Sequence, residues 1–450
     1  MRSELPKVLH ALAGRPMISW VLDAIRGAGV DQVVVVVGHG ADRVREVLPD
    51  GVSIAVQEEQ NGTGHATQVG LAELGGQCDS VVVACGDTPL LREALIRRLL
   101  EQHRTSGDAA TMVTAVLDDA GSYGRVLRDA TGAVTGVVEA RDASPEQLEV
   151  REINSGLFCF DRPGLQSALA RVDSDNAQGE VYLPDALPLM GGSVGALVAE
   201  DTSAVDGVNT RVDLAACERV LQDRLREALM LEGVTMPDPT AVYLDADVTV
   251  GADTILYPGV HLRAGSTVGS GCAIGPDVVA SGSTIADGAQ VVSAHIIDSR
   301  VGPGCVVGPF GYLRPETVME EGAKVGTFVE VKKSTVGPGA KIPHLSYIGD
   351  ATIGEGSNIG AGNITANYDG FRKHRTVVGE RVKTGSDCVF VAPVTIGDDT
   401  MTGAGSIVTD DVPDGALAIA RARQTNIEGF TARAEQRARE AAEAERNGGA

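Results

Sequence analysis

Aromatic residues are scarce in this 450-residue chain, at 3% with a single tryptophan. Basic charge is scarce too: 38 lysines and arginines face 61 aspartates and glutamates, for a formal charge of −23. A surface that tracks a phosphate backbone needs the reverse, basic patches interleaved with aromatics, so nucleic acid is excluded as an expected partner. The seven cysteines, at 78, 85, 159, 217, 272, 305 and 388, include no CxxC pair. That argues against a zinc ribbon or a secreted disulfide framework and for reduced thiols in the cytoplasm. No apolar run approaches the roughly 18 residues of a membrane span, and the start MRSELPKVLH has no apolar core of a secretion signal. A soluble, cytoplasmic chain without membrane insertion is expected.

What the chain has in excess is glycine, 56 residues crowded toward the second half, against an average usage of about 7%. Its length and 43% hydrophobic content exceed one ordinary core, so at least two domains are expected. Residues 1–208 alternate β-branched runs with amphipathic stretches, the signature of α/β construction. Strands are predicted at 32–38, 52–57 and 80–85, with helices over 41–48 and 64–74 between them, which suggests one doubly wound sheet with ligands at its strand carboxyl ends. Residues 209–233 have helical spacing at Leu214, Cys217, Val220, Leu221, Leu225 and Leu229, which predicts a connecting helix about 36 Å long.

From residue 234 the period changes to six. Val250, Leu256, Leu262, Val268 and Ile274 keep that step, and so do Val301, Val307, Leu313, Met319, Val325 and Val331. A hexapeptide repeat with an inward aliphatic and glycine or asparagine at the corners is the pattern of a parallel β-helix, and tight corners explain the glycine. A turn-rich β-sandwich is the alternative, but it does not produce eleven aliphatics in phase. The solenoid is expected over 234–425, with an outward loop near 367–375, where such folds usually carry function. A charged tail over 426–450 reads as a frayed helix or disorder.

Chemistry is carried by short motifs. Asp87 in CGDTPLL ends a strand; alone it would be a turn former. It is accompanied by Lys7 in LPKVLH, Gln57, Gly62 and Thr63 in QEEQNGTGHA, Gly124 in SYGRV, Glu139 in VVEARDA, Asn154 in EINSG, the run NAQGEVYLPD and Asn209 in VDGVN. Together these resemble the sugar-1-phosphate nucleotidyltransferases. With the six-step solenoid behind them, the chain from Met1 to about Gly429 resembles the bifunctional bacterial N-acetylglucosamine-1-phosphate uridylyltransferase and glucosamine-1-phosphate acetyltransferase. The resemblance implies a Rossmann-like first domain, a left-handed β-helix and a homotrimer. It implies a place in cell-wall precursor synthesis, with acetyl transfer from acetyl-CoA to glucosamine 1-phosphate, then uridylyl transfer from UTP to N-acetylglucosamine 1-phosphate.

By the same resemblance Asp87 and Asn209 would hold Mg²⁺, Lys7 would neutralise a phosphate, Gln57, Gly62 and Thr63 would read uracil, and Gly124, Glu139, Asn154 and Asn209 would hold the sugar nucleotide. In the family a strand and a glycine-rich loop of the form AAGxGTRM immediately precede the stretch matching RSELPKVLH. This chain begins at the methionine of that motif, so the first domain is expected to lack its first strand and phosphate loop, and uridylyl transfer is expected to be impaired in the chain as given. Cys85 stands where the family often has tyrosine, and Arg141 where lysine is common.

In the solenoid, acetyl transfer needs a base for the amine proton and donors for the oxyanion. One histidine in a repeat is by itself an exposed corner residue. The resemblance makes His344 in KIPHLSYIGD the base, with Arg314, Lys332, Tyr347, Asn358 and Lys373 cradling the sugar phosphate. It implies that Ala361, Asn367, Tyr368, Ser386, Ala404 and Arg421 contact acetyl-CoA, with Asn367 also orienting the reactants and Ser386 supporting the oxyanion. Departures are the run VKTGSD around Ser386 and Arg423 in place of a usual proline. Two rival readings are a single-function nucleotidyltransferase with an assembly-only solenoid and a non-enzymatic trimeric scaffold; the joint presence of His344, Asn367, Tyr368 and Lys373 argues against both.

Overall fold

A computed structural model describes residues 1–76 and 78–448. Backbone contacts divide the chain into two compact units. One comprises Met1–Val250 with Leu256–Ser266, and the other Gly251–Ile255 with Thr267–Ala450. The connecting helix and the opening coils of the repeat region thus group with the first unit, although the sequence pattern changes earlier, at 234.

In the first unit the predicted strands form at Val33–Val37, Val52–Val56 and Ser80–Val83, and the predicted helices at Ala41–Arg45 and Thr63–Glu73. They do not lie in one sheet. Val33–Val37 pairs in parallel with Val52–Val56 as a two-stranded ribbon. Ser80–Val83 instead runs antiparallel to Glu152–Asp161 in a six-stranded mixed sheet. The ten residues of Glu152–Asp161 also pair antiparallel with Ala110–Val116 and touch Arg125–Arg128, while Val194–Val198 adds in parallel beside Ala110–Val116. A long strand reached without a helical crossover reverses direction against its neighbours, a switch that strand–helix alternation alone does not announce. Helices Met17–Gly27 and Glu93–Ser106 supply Val21, Ala24, Leu95, Ile96 and Leu99 to a core closed by Val113, Ile153 and Cys159.

The connecting helix forms over Arg211–Leu231. Thr210 and Asp213 make a reciprocal capping box at its start, satisfying amides that the first turn leaves free. Its buried Gln222 both donates to the Leu244 carbonyl, at 2.7 Å, and accepts from the Leu244 amide, at 2.9 Å. A side-chain amide here stands in for a neighbouring strand and blunts the edge of Val242–Leu244.

The second unit is a stack of parallel coils with strands on three faces. One face runs through Val279–Ser281, Ala294–Ile297, Gly311–Leu313, Glu330–Lys332, Tyr347–Gly349, Ile364–Ala366 and Val389–Val391. All eleven aliphatics of the six-step pattern, in both units, are buried. Corner geometry accounts for the glycines: a Cβ on Gly308, at φ 97°, would collide with the Val292 carbonyl of the coil below. The loop at 367–375 is a hairpin in which Tyr368 opposes Lys373, with Phe371 at its tip 92% exposed. Residues 430–448 are an α-helix, the helical alternative for the tail. Among the described residues no helix is long and apolar enough to cross a membrane.

Candidate active sites

In the first unit, residues 7, 87 and 209 converge. The Lys7 Nζ forms an ion pair with Asp87 Oδ2 and donates to Asn209 Oδ1 at 2.7 Å. Local structure fixes each partner: Lys7 opens a 3₁₀ turn, and Asp87 follows strand Ser80–Val83 with its carbonyl accepting from the Val208 amide at 2.9 Å. That last bond carries Asn209 to the same place. A second cluster joins Gly124, Glu139 and Asn154. The Asn154 amide donates to the Gly124 carbonyl at 2.9 Å, and a Cβ on Gly124 would lie 3.2 Å from Glu139 Oε1. Burial, then the charges of Asp185 and Asp142, raise the Glu139 carboxyl above the ordinary glutamate range. Neither aspartate was singled out from sequence: Asp142 reaches Glu139 through a local turn, its amide donating to the Glu139 carbonyl at 2.9 Å, whereas the approach of Asp185 is tertiary.

Cys85 links the two clusters. Its Sγ lies against Gly156, whose amide donates to Asn154 Oδ1 at 3.0 Å, and the charges of Asp87, Lys7 and Glu139 all reach it. Burial first, then Asp87, pushes its thiol up to about 12, so it is a neutral thiol and not a nucleophile. Gln57, Gly62 and Thr63 form a third group. Gln57 Nε2 donates to the Gly62 carbonyl at 3.2 Å and meets His65 Nδ1 at 3.0 Å, while Thr63 Oγ1 accepts from the Leu183 amide at 3.0 Å. Among the described residues no hydrogen bond joins this group to the other two. Arg141 reaches Gln178 Oε1 at 2.7 Å, in the NAQGEVYLPD run.

The donor set fits a magnesium ion. Asp87 and Asn209 offer one carboxylate and one amide oxygen, hard ligands that a cation already holds together in the form of Lys7. Mg²⁺ is characteristically bound by one or two carboxylates, with substrate phosphates and water completing its shell, so a fuller protein cage is not required.

In the solenoid, Lys332 and Lys373 line a cavity of about 470 Å³ together with Glu316, Lys333, Asp350, His374 and Arg375. The neighbouring Lys332 ammonium holds Lys373 below the usual lysine range, against the opposing pull of Asp350. Asp350 Oδ2 faces Lys332 Nζ at 3.6 Å and accepts from Asn367 Nδ2. Tyr347 and Asn367 both lie over Gly349: a Cβ there would collide with the Tyr347 hydroxyl and sit 2.8 Å from Asn367 Nδ2. Arg314 pairs with Glu330 at 2.8 Å on the same face, one coil from Tyr347. Asp350 and Glu330 were not singled out from sequence; their only signal was an acidic residue amid a cationic set.

The remaining predicted residues climb one corner of successive coils. The His344 carbonyl accepts from Gly362, the Ala361 carbonyl from Asp387 and the Ser386 carbonyl from Gly405, while Arg421 Cδ packs near Gly405. Ala404 stands beside Gly405. The side chains of His344, Ser386, Ala404 and Arg421 are exposed, and among the described residues no hydrogen bond joins any of them to Asn367. Tyr368 is exposed, its hydroxyl donating to the Gly370 carbonyl at 2.6 Å. Asn358 is exposed between Lys341 and Lys383 of adjacent coils and does not line the cavity.

Comparison with known proteins agrees with both halves. Residues 1–155 match the family model of a MobA-like NTP transferase domain. A bifunctional protein GlmU of Heliobacterium modesticaldum is 49% identical over 436 residues, covering 96% of this chain and 95% of the relative. Those of Streptomyces avermitilis and Corynebacterium aurimucosum are 50% and 46% identical, each spanning 96% of this chain and 92% and 90% of their own lengths. With a transferase unit, a parallel β-helix and identity of this extent along nearly its whole length, the chain belongs to the GlmU family, bifunctional uridylyltransferase and acetyltransferase enzymes of UDP-N-acetylglucosamine synthesis.

Proposed function

We propose that the Lys7–Asp87–Asn209 cluster is the uridylyl-transfer site and that the Lys332–Lys373 cavity with the His344 corner is the acetyl-transfer site, in domains bounded near 208, 233 and 425. The carrying observation is the pair of lysines lining one cavity of a strongly acidic protein. Like charges gathered in one cavity cost energy unless a ligand of opposite charge lies there, and a sugar phosphate has that charge.

For acetyl transfer, the amine nitrogen of glucosamine 1-phosphate attacks the thioester carbonyl of acetyl-CoA. The amine proton passes to His344, the carbon–sulfur bond breaks, and coenzyme A leaves as its thiol. Arg314, Lys332, Tyr347, Asn358 and Lys373 hold the sugar phosphate. Ala361, Tyr368, Ala404 and Arg421 line the coenzyme, Asn367 orients the reacting groups, and Ser386 donates to the oxyanion. For uridylyl transfer, a phosphate oxygen of N-acetylglucosamine 1-phosphate displaces pyrophosphate from UTP. Lys7 offsets charge on the phosphates, Gln57, Gly62 and Thr63 bind uracil, and Gly124, Glu139 and Asn154 bind the sugar. Mg²⁺ held by Asp87 and Asn209 would neutralise phosphate charge.

A homotrimer is supported by an exposed apolar column on the His344 corner. Phe310, Phe328 and Leu345 are 59%, 58% and 62% exposed and take left-handed φ values of 58°, 56° and 49°. The two phenyl rings stack 5.1 Å apart, which contributes about 0.5–1.5 kcal/mol, whereas each left-handed bulky residue costs about 1–2 kcal/mol. The column therefore gains its stability from what covers it, and a second copy would also enclose His344. Seven free thiols, five of them buried, are consistent with the cytoplasmic reading.

Two assays on one preparation test the assignment. H344A should lower thiol release by about 10²-fold or more, and D87A should leave thiol release unchanged while removing the pyrophosphate release that the chain retains. Thiol release by H344A within threefold of the parent contradicts the role of the histidine.

A further inference from the structure

Asp350 stands at a solenoid corner between strands Tyr347–Gly349 and Ala351–Ile353, with its backbone at φ 50°. The corner is pinned from both sides: the Asp350 amide donates to the Lys332 carbonyl at 3.0 Å, and its own carbonyl accepts from the Thr376 amide at 3.2 Å. Aspartate tolerates this left-handed conformation, as glycine and asparagine do, but only aspartate of the three brings a charge. The side chain is 13% exposed, and a single oxygen, Oδ2, serves two partners. It accepts the hydrogen bond of Asn367 Nδ2 and faces the Lys332 ammonium at 3.6 Å. Asn367 is itself buried, and its carbonyl accepts from the His374 amide at 2.8 Å at the base of the hairpin that carries Lys373.

We propose that Asp350 is a positioning residue for acetyl transfer, holding the Asn367 amide in one orientation while screening Lys332 from Lys373. This rests on the reading of Asn367 and Lys332 as acetyl-transfer residues. With Nδ2 committed to Asp350 and the backbone carbonyl to His374, the side-chain oxygen Oδ1 of Asn367 is the end left for the reacting groups. A buried hydrogen bond to a charged acceptor resists rotation more than one to a neutral acceptor. The carboxylate also lowers the net positive charge of the cavity, so its removal should not weaken capture of the sugar phosphate; it should loosen the geometry in which the captured amine reacts.

The test is steady-state thiol release by the full chain, its D350N, D350E and N367A variants, and the D350N/N367A double variant. In D350N, kcat should fall about tenfold or more and KM for glucosamine 1-phosphate should drop, whereas a smaller folded fraction lowers apparent kcat and leaves KM unchanged. D350E keeps the charge on a longer stem and should fall between D350N and the parent. On an N367A background D350N should cost less than about twofold further, since two residues acting through one contact are not additive. A kcat for D350N within twofold of the parent, or for D350E below D350N, overturns the proposal. So does a D350N effect that persists in full beside a crippled N367A, which would leave the assignment of Asn367 standing. An N367A variant that turns over like the parent overturns the assignment of Asn367 and the role of Asp350 together.

Discussion

At the scale of the residue, neighbours set the chemistry of each group. Cys85 and Glu139 are pushed to hold their protons, by burial and by surrounding carboxylates, whereas Asp369 on the hairpin is drawn down to about 2 by the Arg372 amide, the His374 ring and the Phe371 amide. The raised carboxyl of Glu139 has a consequence for stability. Its folded-state pKa lies above the unfolded value, so the folded form holds the proton more tightly. The stabilisation is fully present below the unfolded pKa and is lost as pH rises through the folded one. E139Q should therefore melt above the parent at about pH 8, and the difference should close by about pH 4, as thermal unfolding followed by circular dichroism would show. A gap of equal size at both pH values would mean that burial of this charge is not what destabilises the site.

At the scale of the element, the solenoid places functional groups by stacking coils, and small residues let those groups lie flat. Gly349 follows Ile348 on a short strand, and its bare Cα is covered by the Tyr347 hydroxyl and the Asn367 amide. No left-handed angle demands glycine there, so backbone strain is not the reason for it; the two side chains are. G349A should leave the fold intact, because the intruding methyl points at side chains and not at the coil below. It should lower thiol release by about 10²-fold, the cost of moving positioned groups by about an ångström, with pyrophosphate release as the unaffected control. Loss of both activities together would point to a folding defect instead.

At the scale of the whole molecule, the exposed corner column is the feature that a single chain leaves unexplained. Phe310, Phe328 and Leu345 form an apolar line beside His344, and the hairpin aromatic Phe371 is almost wholly exposed. On the proposal of assembly through this face, the parent should sediment as a trimer, and replacing Phe310 and Phe328 together by aspartate should yield a monomer and depress acetyl transfer with it, because the corner carrying His344 would lose its cover. A parent chain that sediments as a monomer at micromolar concentration, or a double variant that stays trimeric, would refute assembly through this face.

By itself, the sequence determined what depends on period and local chemistry. The six-step aliphatics had to face inward because a coil of short strands offers them no other dry surface, and all eleven are buried. The helix at Arg211–Leu231 and the strands at Val33–Val37, Val52–Val56 and Ser80–Val83 followed from spacing in the same way. The motif residues could be named from family resemblance, but their company could not. That Ser80–Val83 joins an antiparallel partner, that Lys7 meets positions 80 and 202 residues away, and that Asp350 serves Lys332 and Asn367 with one oxygen were decided by tertiary structure. The physical reason is that burial periodicity constrains which way a side chain faces, whereas charge pairing and strand partnership depend on distances that exist only once the chain has closed on itself.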